Sequence, residues 1–456
     1  MNRIANRAWA IILLAVLLVG GVAAFLVEFA IEGGDWAVYP GSPHVYSYGR
    51  VTSSVTDRNG EMLLDMSGER TYAEDADVRK AVLHWTGDRD GYISTPFYDY
   101  YAKELSGYDV LNGVYHFGEN AAQMALTLDA ELQEAALEAM DGRHGTIAVY
   151  NYKTGELLCA ISTPTFDPDD APNVADDEDG EYNGVYLNRF LQSSYTPGSI
   201  FKIITTAAAL DCIPDIEEQT FYCDQVYELG GGEVTCEHWH GEQTLSDAFA
   251  NSCNIAFAKI VEQIGAERLT EYVEQFLLTQ PVSFDGLTTE SGNFDIENAG
   301  ILDVAWSGIG QYTDLVNPCR FLTFMGTVAN GGVEVQPHVV SKITVGGKTT
   351  YQAKKTTAER IMSASLAEAL QEYMAKNVEK EYGTGHFPGL TVCAKSGTAQ
   401  RGEGEAPNAM FAGFVQDEAY PLAFFVAVEG GGYGTDVCVP IVSQVLSACK
   451  MAMDGV

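Results

Sequence analysis

The apolar and polar positions change period several times along the chain. From Ala8 to Val27 the run "AWAIILLAVLLVGGVAAFLV" is unbroken, which matches the ~20 residues needed to cross a bilayer. From 36 to about 127, short alternating runs are punctuated by turns. "GRVTSSVTDRNGEMLLD" reads as two strands around Asn59-Gly60, a strong hairpin signal. "STPFYDYYAKELSGY" reads as a short helix. In "QMALTLDAELQEAALEAMDG" a strand leads to Asp129, which is placed to cap an amphipathic helix. "GTIAVYNYKTGELLCAIS" gives two apolar strands about a Lys-Thr-Gly turn. From about 187 to 380 the period is mostly helical. "GLTVCAKSGTAQ", "NAMFAGFV" and "YPLAFFVAVEG" then return to strands before a last helix, "CVPIVSQVLSACKMAM". Two strands early, three late and helices between predict an α+β domain whose mixed sheet is closed by both ends of the chain.

The flanks of the first run orient it. Arg3 and Arg7 precede it, and Glu28, Glu32 and Asp35 follow. An excess of basic residues marks the cytoplasmic side, so 1–7 is a cytoplasmic tail, 8–30 a membrane anchor, and the rest lies outside. A cleaved signal peptide is the rival, with Ala23 and Ala24 near a cleavage site, but the run is long for a signal core. The segment 36–127 carries no nucleophile, base or metal-ligand constellation and reads as a pedestal; 128–456 is the catalytic candidate. The formal charge of −37 argues against a nucleic-acid partner, because phosphate binding needs a basic surface. The acidic stretch "DPDDAPNVADDEDGEYNG" lacks EF-hand spacing and reads as a solvated loop.

Most of the nine cysteines, such as Cys159, Cys393 and Cys449, lie in apolar runs, where a free buried thiol is the default. Cys223 and Cys236 differ. They flank a polar stretch with a glycine turn and could close it with a disulfide. With His238 and His240 they also suggest zinc, although the spacing matches no usual finger or ribbon.

In "SYTPGSIFKII" a Pro-Gly turn precedes Ser199, and Lys202 sits three residues on in an apolar run. Residues three apart share a helix face. A serine needs an adjacent base to become a nucleophile. A lysine serves as that base only if apolar surroundings or a second cation lower its pKa. Alone, Ser-x-x-Lys reads rather as a helix cap followed by a snorkelling lysine. Ser252 and Asn254 in "NSCN" and Lys395, Ser396, Gly397 and Thr398 in "CAKSGTAQ" change that. The ordered set S-x-x-K, S-x-N and K-[ST]-G is characteristic of penicillin-binding proteins and class A β-lactamases. Lys153-Thr154-Gly155 also fits the last motif, but it precedes Ser199 and sits in a hairpin turn.

Nearly the whole chain resembles the monofunctional, class B penicillin-binding proteins, the D,D-transpeptidases of peptidoglycan. The resemblance rests on the anchor, "GRVTSSVTDRNGEML", "LTLDAELQEAALEAM", "NYKTGELLCAISTPTFDP", "YTPGSIFK" and "GIGQYTDLVNPCRFLTFMGTVANGG". It implies a β-lactamase/transpeptidase-like domain, an antiparallel sheet with helices packed on it, after a reduced pedestal. It implies that Ser199 forms an acyl-enzyme with a donor stem peptide and that Lys202 takes the Ser199 proton. Ser252 and Lys395 relay a proton to the leaving amine, and Asn254 holds the substrate amide. Ser396, Thr398 and Lys395 bind the terminal carboxylate, and the N–H groups of Ser199 and Thr398 form the oxyanion hole. It further implies β-lactams as inhibitors, a polytopic glycan polymerase as membrane partner, and no cofactor or metal. A β-lactamase would share the motifs and need a deacylating carboxylate, for which Glu290 and Glu297 are candidates outside any motif. A β-lactam sensor would need more than the short tail before Ala8. A non-catalytic scaffold would not need every motif residue intact.

Overall fold

A computed structural model of the chain describes residues 2–37, 53–67, 69–101, 104–105, 122–402 and 404–455. The expected start of the pedestal (36–52), apart from its first two residues, and most of the residues beyond Tyr101 in its expected short helix lie outside the described residues. What is described of that helix is a 3-10 turn, Phe97–Tyr101, and helical Glu104 and Leu105.

The first helix, Asn2–Ala37, carries the apolar run, and its side chains are exposed along the span. The Asn59-Gly60 hairpin forms as expected: Ser53–Thr56 pairs antiparallel with Met62–Asp65. The buried Asp57 carboxylate organises its turn by accepting from the N–H groups of Asn59 and Glu61 (both 2.8 Å) and of Ala130 (3.2 Å). The last contact fixes the hairpin to the start of helix Ala130–Met140, where carboxylates are favoured by the free N–H groups. Asp129 caps that helix through Leu132 N.

The expected boundary at 127/128 does not separate two sheets. The pedestal strands belong to a six-stranded sheet ordered Lys348–Gln352, Val340–Val345, Ala122–Leu126, Ser53–Thr56, Met62–Asp65, Thr71–Tyr72. Ala122–Leu126 would otherwise expose an unpaired edge. The later hairpin 340–352 covers it, so two segments far apart in sequence share one sheet.

The central five-stranded sheet joins the two ends of the domain in the order Val392–Ala399, Asn408–Val415, Leu422–Val428, Gly145–Asn151, Leu157–Thr163. It is antiparallel throughout rather than mixed. Its strands read as continuous apolar runs because both faces are covered. Alternate residues enter two cores. Tyr150, Ala412 and Phe425 face helix Pro318–Ala329, while Val149, Phe411 and Phe424 share a core with helices Ala130–Met140 and Gly434–Asp454. Gly326 on the first of these helices makes room for the Tyr150 phenol, which a Cβ there would overlap.

Gly326→Ala is therefore expected to destabilise the protein. Alanine gains about 1 kcal/mol of helix propensity, but overpacking a dense core costs about 1–3 kcal/mol. Thermal denaturation should show a lower Tm, partly restored by adding Tyr150→Phe.

Candidate active site

Pro197 and Gly198 set up a 3-10 turn, Gly198–Phe201, that runs directly into helix Lys202–Cys212. Gly198 has φ +56 and donates its N–H to Gly310 O at 2.8 Å. The turn is pressed against the edge strand Val392–Ala399. A Cβ on Gly198 would lie 2.5 Å from Thr398 O, and one on Gly397 would lie 2.7 Å from Pro197 O. The glycine of the K-S-G motif is thus required by the turn that carries Ser199. Half-buried Ser199 is delivered beside the backbone of Thr398.

Ser199, Ser252, Asn254, Ser396 and Thr398 line one cleft of about 600 Å³, with Gln311, Tyr433 and Thr435 among its other walls. Lys202 and Lys395 lie beneath it, 0% and 1% exposed. The Lys202 amine donates to Ser252 O (2.6 Å), Ser252 Oγ (3.2 Å) and Asn254 Oδ1 (2.8 Å). Its hydrogen bonds thus tie the second motif to the first rather than reaching back to Ser199 Oγ. Nζ also stands 5.4 Å from the Phe257 ring centre. Lys395 donates to Ser396 O (3.3 Å) and stands 5.9 Å from the Phe249 ring centre. Burial pushes the Lys202 amine down to about 7, with the Lys395 cation adding to the effect. Burial also brings Lys395 down to about 7, against the pull of Glu381. Ammonium groups lose hydration in such a site, so their neutral forms are favoured.

Ser252 adopts a left-handed backbone, φ +52, rare for a non-glycine residue and common at functional sites. Cys253 follows as the cap of helix Asn254–Ile264. Asn254 is held twice, since its Nδ2 also donates to Thr235 O at 2.9 Å.

Two supports had no sequence signal. Tyr382 Oη accepts from Ser396 N (2.8 Å) and Asn377 Nδ2 (3.0 Å) and donates to Ser396 Oγ (2.9 Å). Asn377 Nδ2 also donates to Ala394 O at 2.7 Å. Together they satisfy the outer edge of the K-S-G strand. "EKEYGTGH" offers nothing to mark Tyr382 in advance. Further upstream, buried Arg189 pairs with Glu429 at 2.8 Å, and Tyr195 donates to the same carboxylate at 3.0 Å. This anchors the segment leading to Ser199 against the end of the central sheet.

Other expectations resolve against the cleft. Lys153 donates to Asn330 Oδ1 in an exposed hairpin turn, apart from the cleft. Neither Glu290 nor Glu297 lines it. The disulfide suggested for Cys223 and Cys236 is not formed. Both are free thiols, and both sulfurs instead turn toward His240 Nδ1, each at 3.5 Å.

The family description "Penicillin binding protein transpeptidase domain" matches residues 145–447. This chain belongs to that family. Among curated relatives of this penicillin-binding protein, Stage V sporulation protein D of Bacillus subtilis is 31% identical over 360 residues, covering 72% of this chain and 53% of the relative. The peptidoglycan D,D-transpeptidase PbpA of Mycolicibacterium smegmatis is 29% identical over 333 residues, covering 67% of each. The chain thus spans about half the length of the sporulation protein. Among solved structures, penicillin-binding protein A from M. tuberculosis, as its ceftriaxone acyl-enzyme, has the same fold. The TM-score is 0.76 at 22% identity, covering 89% of this chain and 99% of that one.

Tyr382→Phe in this penicillin-binding protein leaves the half-buried Ser396 N–H without its acceptor. Such an orphan costs about 1–3 kcal/mol, so chemical or thermal denaturation should show that loss. Asn377→Ala should lower stability as well, because Ala394 O then loses its donor.

Proposed function

We propose that this chain is a serine D,D-transpeptidase that cross-links peptidoglycan stem peptides through an acyl-enzyme at Ser199 and is acylated there by β-lactams. The observation that carries this reading is the pair of buried lysines with lowered pKa beneath a serine that faces an open cleft. That arrangement is costly for a purely structural site and useful for a base.

Ser199 Oγ attacks the carbonyl of the penultimate D-alanine, and its proton passes to the neutral Lys202 amine. The tetrahedral oxyanion is received by the N–H groups of Ser199 and Thr398. When the C–N bond breaks, the departing D-alanine nitrogen takes a proton through Ser252, with Lys395 behind it. The amine of a neighbouring stem peptide then attacks the ester and releases Ser199 with its proton restored. Asn254 orients the donor amide. Lys395, Ser396 and Thr398 hold the terminal carboxylate, supported from behind by Tyr382. The likeness to acyl-enzyme structures and to named D,D-transpeptidases supports this reading.

The first helix is long and apolar enough to anchor the chain in a membrane. Arg3 and Arg7, ahead of its apolar run, support an orientation with the N-terminus cytoplasmic and the cleft outside. We further propose a polytopic glycan polymerase as partner. A structural neighbour, penicillin-binding protein PBP2 of Helicobacter pylori, is known in complex with MreC (TM-score 0.62, 23% identity, 72% of this chain and 64% of that one).

Fluorescent penicillin should label the full-length protein persistently, and Ser199→Ala should abolish the label. Rapid loss of label from the native protein would instead indicate a β-lactamase. Because the base must be neutral, the acylation rate constant should rise with pH to a plateau, with a midpoint near 7. Below it the rate should fall about tenfold per pH unit. The two lysines titrate as a pair. Lys395→Gln removes the cation that depresses Lys202 and should move the limb to higher pH.

A further inference from the structure

Outside the catalytic residues, one cluster combines four soft or borderline metal donors. Cys223 ends strand Thr220–Cys223, which pairs with Gly241–Thr244 so that Cys223 lies opposite Gly241. His240 immediately precedes that partner strand. Cys236 follows the hairpin Val226–Leu229/Gly232–Thr235, and its N–H is held by Gln225 O at 2.9 Å. Cys253 is the middle residue of the Ser252-Cys253-Asn254 motif and is fully buried. All four donor atoms, three Sγ and one imidazole nitrogen, lie within 4.8 Å of one another.

The spacing within the cluster decides what it fits. A tetrahedral zinc with Zn–S about 2.3 Å and Zn–N about 2.0–2.1 Å sets S···S near ~3.8 Å and S···N near ~3.5 Å. Here Cys236 Sγ and Cys253 Sγ are 4.0 Å apart, and His240 Nδ1 is 3.5 Å from both Cys223 Sγ and Cys236 Sγ. A disulfide requires about 2.05 Å between sulfurs, and three thiols cannot all be satisfied by one.

We propose that Cys223, Cys236, His240 and Cys253 form a closed Cys3His site for a zinc ion, and that this ion clamps the catalytic S-x-N loop to the strand pair and hairpin of residues 220–244. On binding, three thiols give their protons to solvent, the ion sheds its water ligands as three Zn–S bonds and one Zn–N bond form, and nothing is oxidised. All four positions are filled by protein, so the site is structural. Its effect reaches the cleft through Cys253. The two neighbours of that residue, Ser252 and Asn254, are the acceptors of the Lys202 amine, and the left-handed backbone at Ser252 needs outside support. The sequence offered His238 as a fourth ligand; the geometry replaces it with Cys253.

The test uses the full-length protein in detergent, purified in zinc-containing medium without chelator. Metal analysis should find about one zinc per chain, falling below about 0.1 in Cys223→Ser and His240→Ala. Should those variants fail to fold, cobalt(II) exchanged into the native protein decides the matter. A Cys3His site gives thiolate-to-cobalt charge transfer and the intense d–d bands of tetrahedral cobalt. Stripping the zinc with a chelator should slow penicillin acylation at least about tenfold, reversibly on zinc return. Native protein without zinc, cobalt bound without thiolate bands, or a disulfide between any two of the three cysteines in non-reducing peptide maps would each overturn the site. Zinc lost with acylation unchanged would overturn the clamp.

Discussion

The site depends on keeping two ammonium groups out of water. Removing a charged amine from solvent is among the more expensive acts a fold performs, and here it is done twice within one cleft. The cost is held down because each lysine can exist neutral near physiological pH. Phe257 and Phe249 offer their faces to the cationic forms. Ser252 and Asn254 accept hydrogen bonds from Lys202 in either state. What the chain spends in stability leaves neutral amines available beneath Ser199 near physiological pH.

That expense is sustainable only on rigid supports. The K-S-G strand is the edge of an antiparallel sheet with both faces buried, so it cannot drift. Its outer hydrogen-bonding groups are not left to solvent: Tyr382 and Asn377 take two of them. On the same edge, Gly397 and Gly198 bring backbone against backbone where any side chain would force the turn away. Arg189 and Glu429 fix the approach to that turn. The S-x-N loop is the least regular of the three segments, with a strained residue at 252, and it is the one beside the cysteine and histidine cluster. A constraint independent of packing is most useful at that point.

The segments before and after residue 128 are less separate than a linear reading suggests. The hairpin 340–352 completes the six-stranded sheet, and Asp57 joins the Asn59-Gly60 turn to the helix that opens the catalytic domain. The orientation of the pedestal is therefore tied to the body that carries the cleft.

By itself, the sequence determined the elements whose signals are local. Period and turn chemistry specify the apolar anchor, the Asn59-Gly60 hairpin, the Asp129-capped helix and the five strands of the central sheet. The ordered motifs name Ser199, Lys202, Ser252, Asn254 and Lys395–Thr398; Ser199, Ser252, Asn254, Ser396 and Thr398 line one cleft, with Lys202 and Lys395 buried beneath it. Only the tertiary structure decided what depends on non-local approach. It decided that Gly397 serves the nucleophile turn, that Tyr382 and Asn377 support the strand, and that 340–352 joins the pedestal. It also decided that Cys223 and Cys236 face His240 and Cys253 instead of bonding to each other. Side-chain spacing in space across four separate segments leaves no period in the chain, because each segment is positioned by packing against partners that are distant in sequence.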